Sequence, residues 1–102
     1  MYTSSRIVQF KNMSAMAQGL PICQSIMSLM KEFVGNDVGL YTATLGGNPV
    51  RVLFVTRAEN IATLSDGMDR AAQNTKFREL VSQLGQYVEG THTQDQVWKK
   101  IG

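Results

Sequence analysis

The one histidine of the chain, His92, stands in the polar run Thr91-His92-Thr93. Its imidazole is the side chain whose ordinary pKa lies near neutrality, so it is the first candidate for proton transfer or for an axial bond to haem iron. A histidine in a polar loop is commonly just solvated, and that reading stands beside the other two. Tyr41 is the second catalytic candidate. It falls in an alternating apolar segment, and Phe54 and Arg57 lie on the segment that follows. A phenol and a guanidinium beside an apolar cavity can orient a phenolic or carboxylate ligand. A tyrosine packed in a core or interface would only bond its hydroxyl to backbone. Met27, Met30 and Met68 sit on helical segments, where methionine serves an adaptable pocket or a loosely filled core equally well. The ligand-binding set read from the sequence is therefore Tyr41, Phe54, Arg57, Met27, Met30, Met68 and His92.

Several chemistries are excluded by what the chain lacks. It has one cysteine, Cys23, so no disulfide forms within the chain and a reducing compartment is expected. With one Cys and one His there is no zinc-type cluster, and no metal or cofactor is expected. Gly46-Gly47-Asn48-Pro49 is not followed by Lys-Ser/Thr and joins two strands, so it is a turn and not a phosphate loop. Ten Lys+Arg against eight Asp+Glu give a net charge of +2, too small and too scattered for a nucleic-acid binder. An RNA-recognition module would need stacked aromatics on its third strand, where VRVLFVT offers Phe54 alone. The longest uncharged stretch, Asn12 to Met30, is broken by Gly19 and Pro21, so neither a signal peptide nor a membrane span is expected. The expectation is a complete, soluble, cytoplasmic chain.

The elements that must position these residues follow from periodicity. SRIVQF, residues 5–10, reads as a strand. Asn12 or Ser14 then caps a helical region, with the main helix expected from Pro21, where proline suits a first turn, to Val34. Residues 38–45 and 50–57 read as two strands of a hairpin. A long helical region from Glu59 to about Tyr87 is interrupted at Asn74-Thr75, a fresh cap. The last segment is strand-like in Val97, Trp98 and Ile101. The order β-α-β-β-α(α)-β in 102 residues specifies a single domain, residues 1–102. The fold class is α+β and ferredoxin-like: a four-stranded antiparallel sheet with its helices on one face.

Such a sheet leaves its other face open. The third strand nonetheless carries Val50, Val52 and Phe54 on one side and Leu53 and Val55 on the other. Each large side chain left in water forgoes about 1.5–3 kcal/mol, and a patch of them usually marks an interface. A second copy packed sheet against sheet, as a two-fold homodimer, is the expected cover. The charged fraction of 18%, below the roughly 25% of an average domain, fits a surface partly lost to a partner.

The split order resembles the dimeric ferredoxin-like α+β barrel superfamily, which includes antibiotic-biosynthesis monooxygenase-like, stress-responsive barrel and muconolactone-isomerase-like proteins. The likeness is carried by AENIATLSDGMDRAAQNTKFRELVSQLGQYVEG before a last strand, by the break at Asn74 to Phe77, and by the apolar strand end Val97 to Ile101. It implies the same fold and a homodimer. For function it implies cofactor-independent oxygenation or isomerisation of a small, largely apolar organic molecule held between helices and sheet. The alternatives are a non-enzymatic dimeric binding or regulatory protein and, more weakly, haem binding through His92.

Overall fold

Asparagine side chains set the start of each helix among the described residues. Asn12 Oδ1 accepts the Ala15 amide at 2.8 Å, Asn60 Oδ1 that of Thr63 at 2.8 Å, and Asn74 Oδ1 that of Phe77 at 2.9 Å. Each satisfies one of the amides that a helix leaves unpaired in its first turn. The computed structural model, which describes residues 1–35, 37–42, 49–89 and 94–102, places strand β1 at Tyr2–Gln9 and helix α1 at Met13–Val34. Strands β2 and β3 follow at Val38–Thr42 and Arg51–Ala58, then helices α2 at Ile61–Gln73 and α3 at Thr75–Leu84, then strand β4 at Gln94–Lys99.

The sheet runs β2-β3-β1-β4, with every neighbouring pair antiparallel. This is the expected four-stranded α+β arrangement. Two boundaries differ from the sequence reading, each for a physical reason. β1 begins at Tyr2 and not at Ser5, because Tyr2 and Thr3 pair with Ala58 and Arg57 on one side and with Lys99 and Trp98 on the other. Pairing along both edges holds these residues extended whatever their local pattern. The helix expected from Pro21 begins eight residues earlier and carries Pro21 in its interior. Pro21 and Ala17, whose carbonyl loses its i+4 partner, both face solvent, so water can take that acceptor. The end at Gly35 is as expected, with φ at +94° and its amide bonded to Lys31 O at 3.2 Å. Residues 43–45 of the second expected strand and 46–48 of its turn lie outside the described residues.

The core lies between one face of the sheet and the helices. Phe10, Val52 and Cys23 are its largest wholly buried side chains, joined by Met16, Ile26, Met30, Leu80 and Leu84. α1 packs against β2 and β3, α2 against β3 and β1, and α3 on α1 and α2. Burial pushes the Cys23 thiol up to about 11, so it stays protonated and inert at neutral pH. Ellman's reagent is therefore expected to label Cys23 only after denaturation. Stoichiometric labelling within minutes at pH 8 in native buffer would contradict this burial.

Candidate functional site

Strand alternation sorts the sequence candidates onto two faces. Register sets Leu40 beside Phe54 and Tyr41 beside Leu53. Phe54 therefore joins the helix side, packed against the core, while Tyr41 and Arg57 belong to the open face. Phe54 and Tyr41 do not share a pocket. Met30 is buried, and Met27 and Met68 half-buried, in the helical layer. His92 lies outside the described residues. The space between helices and sheet, where the sequence placed a ligand, is filled by the core side chains.

The open face is the feature that remains. Its central row runs Trp98–Thr3–Arg57 across β4, β1 and β3. The next row sets Ser5 beside Val55 and Gly39, and the one beyond sets Ile7 beside Leu53 and Tyr41. Val55 is only 5% exposed although no helix covers this face, whereas Tyr41 and Trp98 are 50% and 56% exposed. Both aromatic rings lie over smaller neighbours of this face, Tyr41 across Gly39 and Trp98 toward Ser5. Beside Tyr41, a concavity of about 230 Å³ is lined by Ile7, Tyr41, Thr42, Arg51, Val52 and Leu53. A second, of about 340 Å³, lies on the outer helical surface between Ala72, Phe77, Arg78 and Val81. Among the described residues, neither enters the helix–sheet core.

Polar contacts fix the walls of this face. Trp98 Nε1 donates to Ser5 Oγ at 3.2 Å, which lays the indole along the sheet. Tyr41 folds back across Gly39: a Cβ at position 39 would stand 2.7 Å from Tyr41 Cε2 and 2.9 Å from its hydroxyl oxygen. Glycine inside a strand weakens it by leaving nothing to pack, and here the vacancy is a seat for the phenol. The Tyr41 hydroxyl and the Asp37 carboxylate lie beside the Arg57 guanidinium, and both push its pKa up, Tyr41 the more. Arg57 Nη1 meets Asp37 Oδ1 at 3.3 Å. At the far end Arg51 Nε donates to Gln9 Oε1 at 3.0 Å, and Gln9 Nε2 to Glu89 Oε2 at 3.3 Å. Sequence reasoning named Tyr41 and Arg57 but missed Gly39, Asp37, Ser5 and Arg51. The glycine inside a strand pattern was the available signal.

On the helix side of the sheet, Arg6 grips Asp95 with two bonds, at 2.5 and 2.7 Å. The guanidinium bonds hold the Asp95 carboxyl below its ordinary range. Because the folded pKa is lowered, the pair adds stability at neutral pH and loses it as pH falls through the folded value. Both side chains are about half exposed, so screening limits the pair to at most about 1 kcal/mol. Asp95→Asn should cost less than that at pH 7 in urea titrations, with the difference vanishing in strong acid; an equal difference at both pH values would contradict the pairing.

Among the described residues, no group of three His, Cys, Asp or Glu side chains could hold a metal ion, and no helix is long and apolar enough to cross a membrane. No protein-family model matches the chain, and no curated protein does. Solved structures do. An uncharacterised NIPSNAP domain protein from Burkholderia xenovorans superposes with a TM-score of 0.81 at 14% identity, over 99% of this chain and 95% of that one. A NIPSNAP family protein of unknown function from Agrobacterium tumefaciens gives 0.80 at 15% identity, over 98% and 87%. An antibiotic biosynthesis monooxygenase gives 0.77 at 12% identity, over the whole of both chains. At such identities the likeness shows the fold alone. At that level it bears out the resemblance read from the helix-break-helix-strand order.

Proposed function

We propose that this chain works as a homodimer closed through its open sheet faces, and that it binds a small, largely apolar organic molecule against that face. The observation that carries the reading is the pair of half-exposed aromatics, Tyr41 and Trp98, standing beside Ile7, Leu53 and Val55 on a face that no helix covers. A second copy placed by a two-fold axis brings the same apolar floor opposite itself and removes both from water. The ligand site moves from the helix–sheet layer, where the sequence put it, to this face, because the layer is packed and the face has the concavity.

Binding without chemistry is the reading that the polar groups support best. Tyr41, Arg57 and Arg51 can hold and orient a ligand, and the Asp37 carboxylate is paired with Arg57. Cofactor-independent oxygenation or isomerisation is the second reading, supported by the fold shared with a structure named as a monooxygenase. Haem binding through His92 rests on residue type alone.

Sedimentation equilibrium at micromolar concentration tests the assembly. A dimer is expected, and Leu53→Lys is expected to give a folded monomer with an unchanged far-UV spectrum. A monomeric parent overturns the proposal, as does a Leu53→Lys protein that stays dimeric. Native mass spectrometry of protein taken from cells then reads the mass of any ligand retained by the dimer.

A further inference from the structure

We infer that the open face carries a seat for an aromatic carboxylate, with Arg57 and the Tyr41 hydroxyl taking the carboxylate and the Trp98 indole lying alongside the ring. This deepens the ligand-binding reading above and rests on it for the choice of face, though not for the dimer.

Three observations converge on that chemistry. First, Arg57 has donors to spare. A guanidinium carries five N–H groups, and Asp37 meets Nη1 at 3.3 Å, longer than the roughly 2.7–2.9 Å of a strong charge-assisted bond. A planar carboxylate is the partner that fits the rest of that fork. Second, the Tyr41 hydroxyl is carried to the guanidinium by a ring that lies across Gly39, where a Cβ would press on it. The strand gives up a packing side chain and gains a second polar group at one point. Third, Trp98 occupies the same row of the sheet as Arg57, with Thr3 between them. Two strand spacings put their backbones roughly 10 Å apart, about the span of one aromatic ring with its carboxylate. Thr3 lies between the two, and the Ser5 bond to the indole nitrogen keeps the Trp98 ring down along the sheet. A ring placed there meets an aromatic wall, where stacked or edge contacts are worth about 0.5–1.5 kcal/mol. An aliphatic carboxylate would satisfy Arg57 but waste that wall, and a neutral aromatic would waste the guanidinium.

Trp98 is the one tryptophan of the chain, so its fluorescence reports the seat directly. Phenylacetate is the probe, with 2-phenylethanol as its neutral counterpart and acetate as its ring-free one. Saturable quenching or shift by phenylacetate is expected, at least tenfold tighter than with either counterpart. Arg57→Gln should weaken phenylacetate at least tenfold and leave the phenylethanol response unchanged. Gly39→Ala should weaken it too by displacing the phenol, and Ser82→Ala, on the far side of the helices, should not. Equal affinity for 2-phenylethanol, or an Arg57→Gln protein that binds phenylacetate as the parent does, overturns the inference, as does the absence of saturation. Sedimentation of the parent without ligand is read separately. A monomer there sinks the homodimer while leaving the fluorescence result to judge the seat.

Discussion

Replacing Phe10 with alanine is expected to cost about 3–5 kcal/mol, the usual range for emptying a wholly buried aromatic site. Phe10 has no exposed surface, and its ring fills a notch in α1 made by Gly19. Its backbone is equally committed: its amide bonds Val50 O at 2.9 Å, and it bridges to Val88 beyond α3. The site therefore ties the end of β1 to α1, to the start of β3 and to the segment after α3, and it cannot collapse without moving all of them. A domain of this length has a total stability of about 5–15 kcal/mol, so the variant should sit close to its unfolding threshold. Urea denaturation reads the effect as a lower midpoint at unchanged slope. A loss below about 2 kcal/mol would mean that α1 closes onto the sheet and fills the space. The same geometry predicts coupling. Gly19→Ala places a methyl on Phe10 Cε1 in the parent protein, so it should destabilise there and be nearly neutral once Phe10 is alanine.

The second large effect is expected at Gly67, where α2 crosses the end of α1. A Cβ there would overlap the Val34 side chain and come within 2.8 Å of the Phe33 carbonyl oxygen. A side chain can turn aside, but a helix carbonyl cannot. That same carbonyl accepts a bond from Arg70 Nη2 at 2.8 Å, one turn further along α2, so any shift that relieves the crowding breaks this contact. Gly67→Val should cost about 3 kcal/mol, the upper end of ordinary overpacking, even though valine is a slightly better helix former than glycine. For a domain of this size that lowers the melting temperature by more than about 10 °C. A melting temperature equal to or above the parent's would show that α1 and α2 can separate freely.

Both positions show how legibility in the sequence divides. The apolar stripe Ile22-Ile26-Met30 at helical spacing marks the buried face of α1, because burial needs only a period and a side chain. In α2 the stripe Ile61-Leu64-Met68-Ala72 holds at Leu64 and Met68, while Ile61 and Ala72 are exposed and Ala71 is buried in their place. The Asn74 break was legible because an asparagine cap is local chemistry, complete within four residues. The i,i+4 spacing of Asp66 and Arg70 suits a pair on one helix face, yet Arg70 bonds the Phe33 carbonyl of α1. Nothing local could show a backbone acceptor that arrives from thirty-seven residues away. Pro21 misled for the same kind of reason. Its cost is local and readable, while the packing of α1 on the sheet that outweighs it is not.

The sequence by itself determined the order of elements, the single α+β domain and the presence of apolar residues on both faces of β3, since each follows from composition and from periods of 2.0 and 3.6. It also supplied Tyr41 and Arg57 as the residues worth watching. Only the tertiary structure decided that Phe54 faces away from them, because a strand's faces become distinguishable once its register against its neighbours is set. Only the structure brought Trp98, Thr3 and Arg57 into one row, since those residues lie on three strands far apart in the chain and are joined by hydrogen bonds between strands. The hollow at Gly39 is the clearest case. The sequence shows a glycine in a strand, which is a weakness, and the fold turns that weakness into the space where the Tyr41 ring lies.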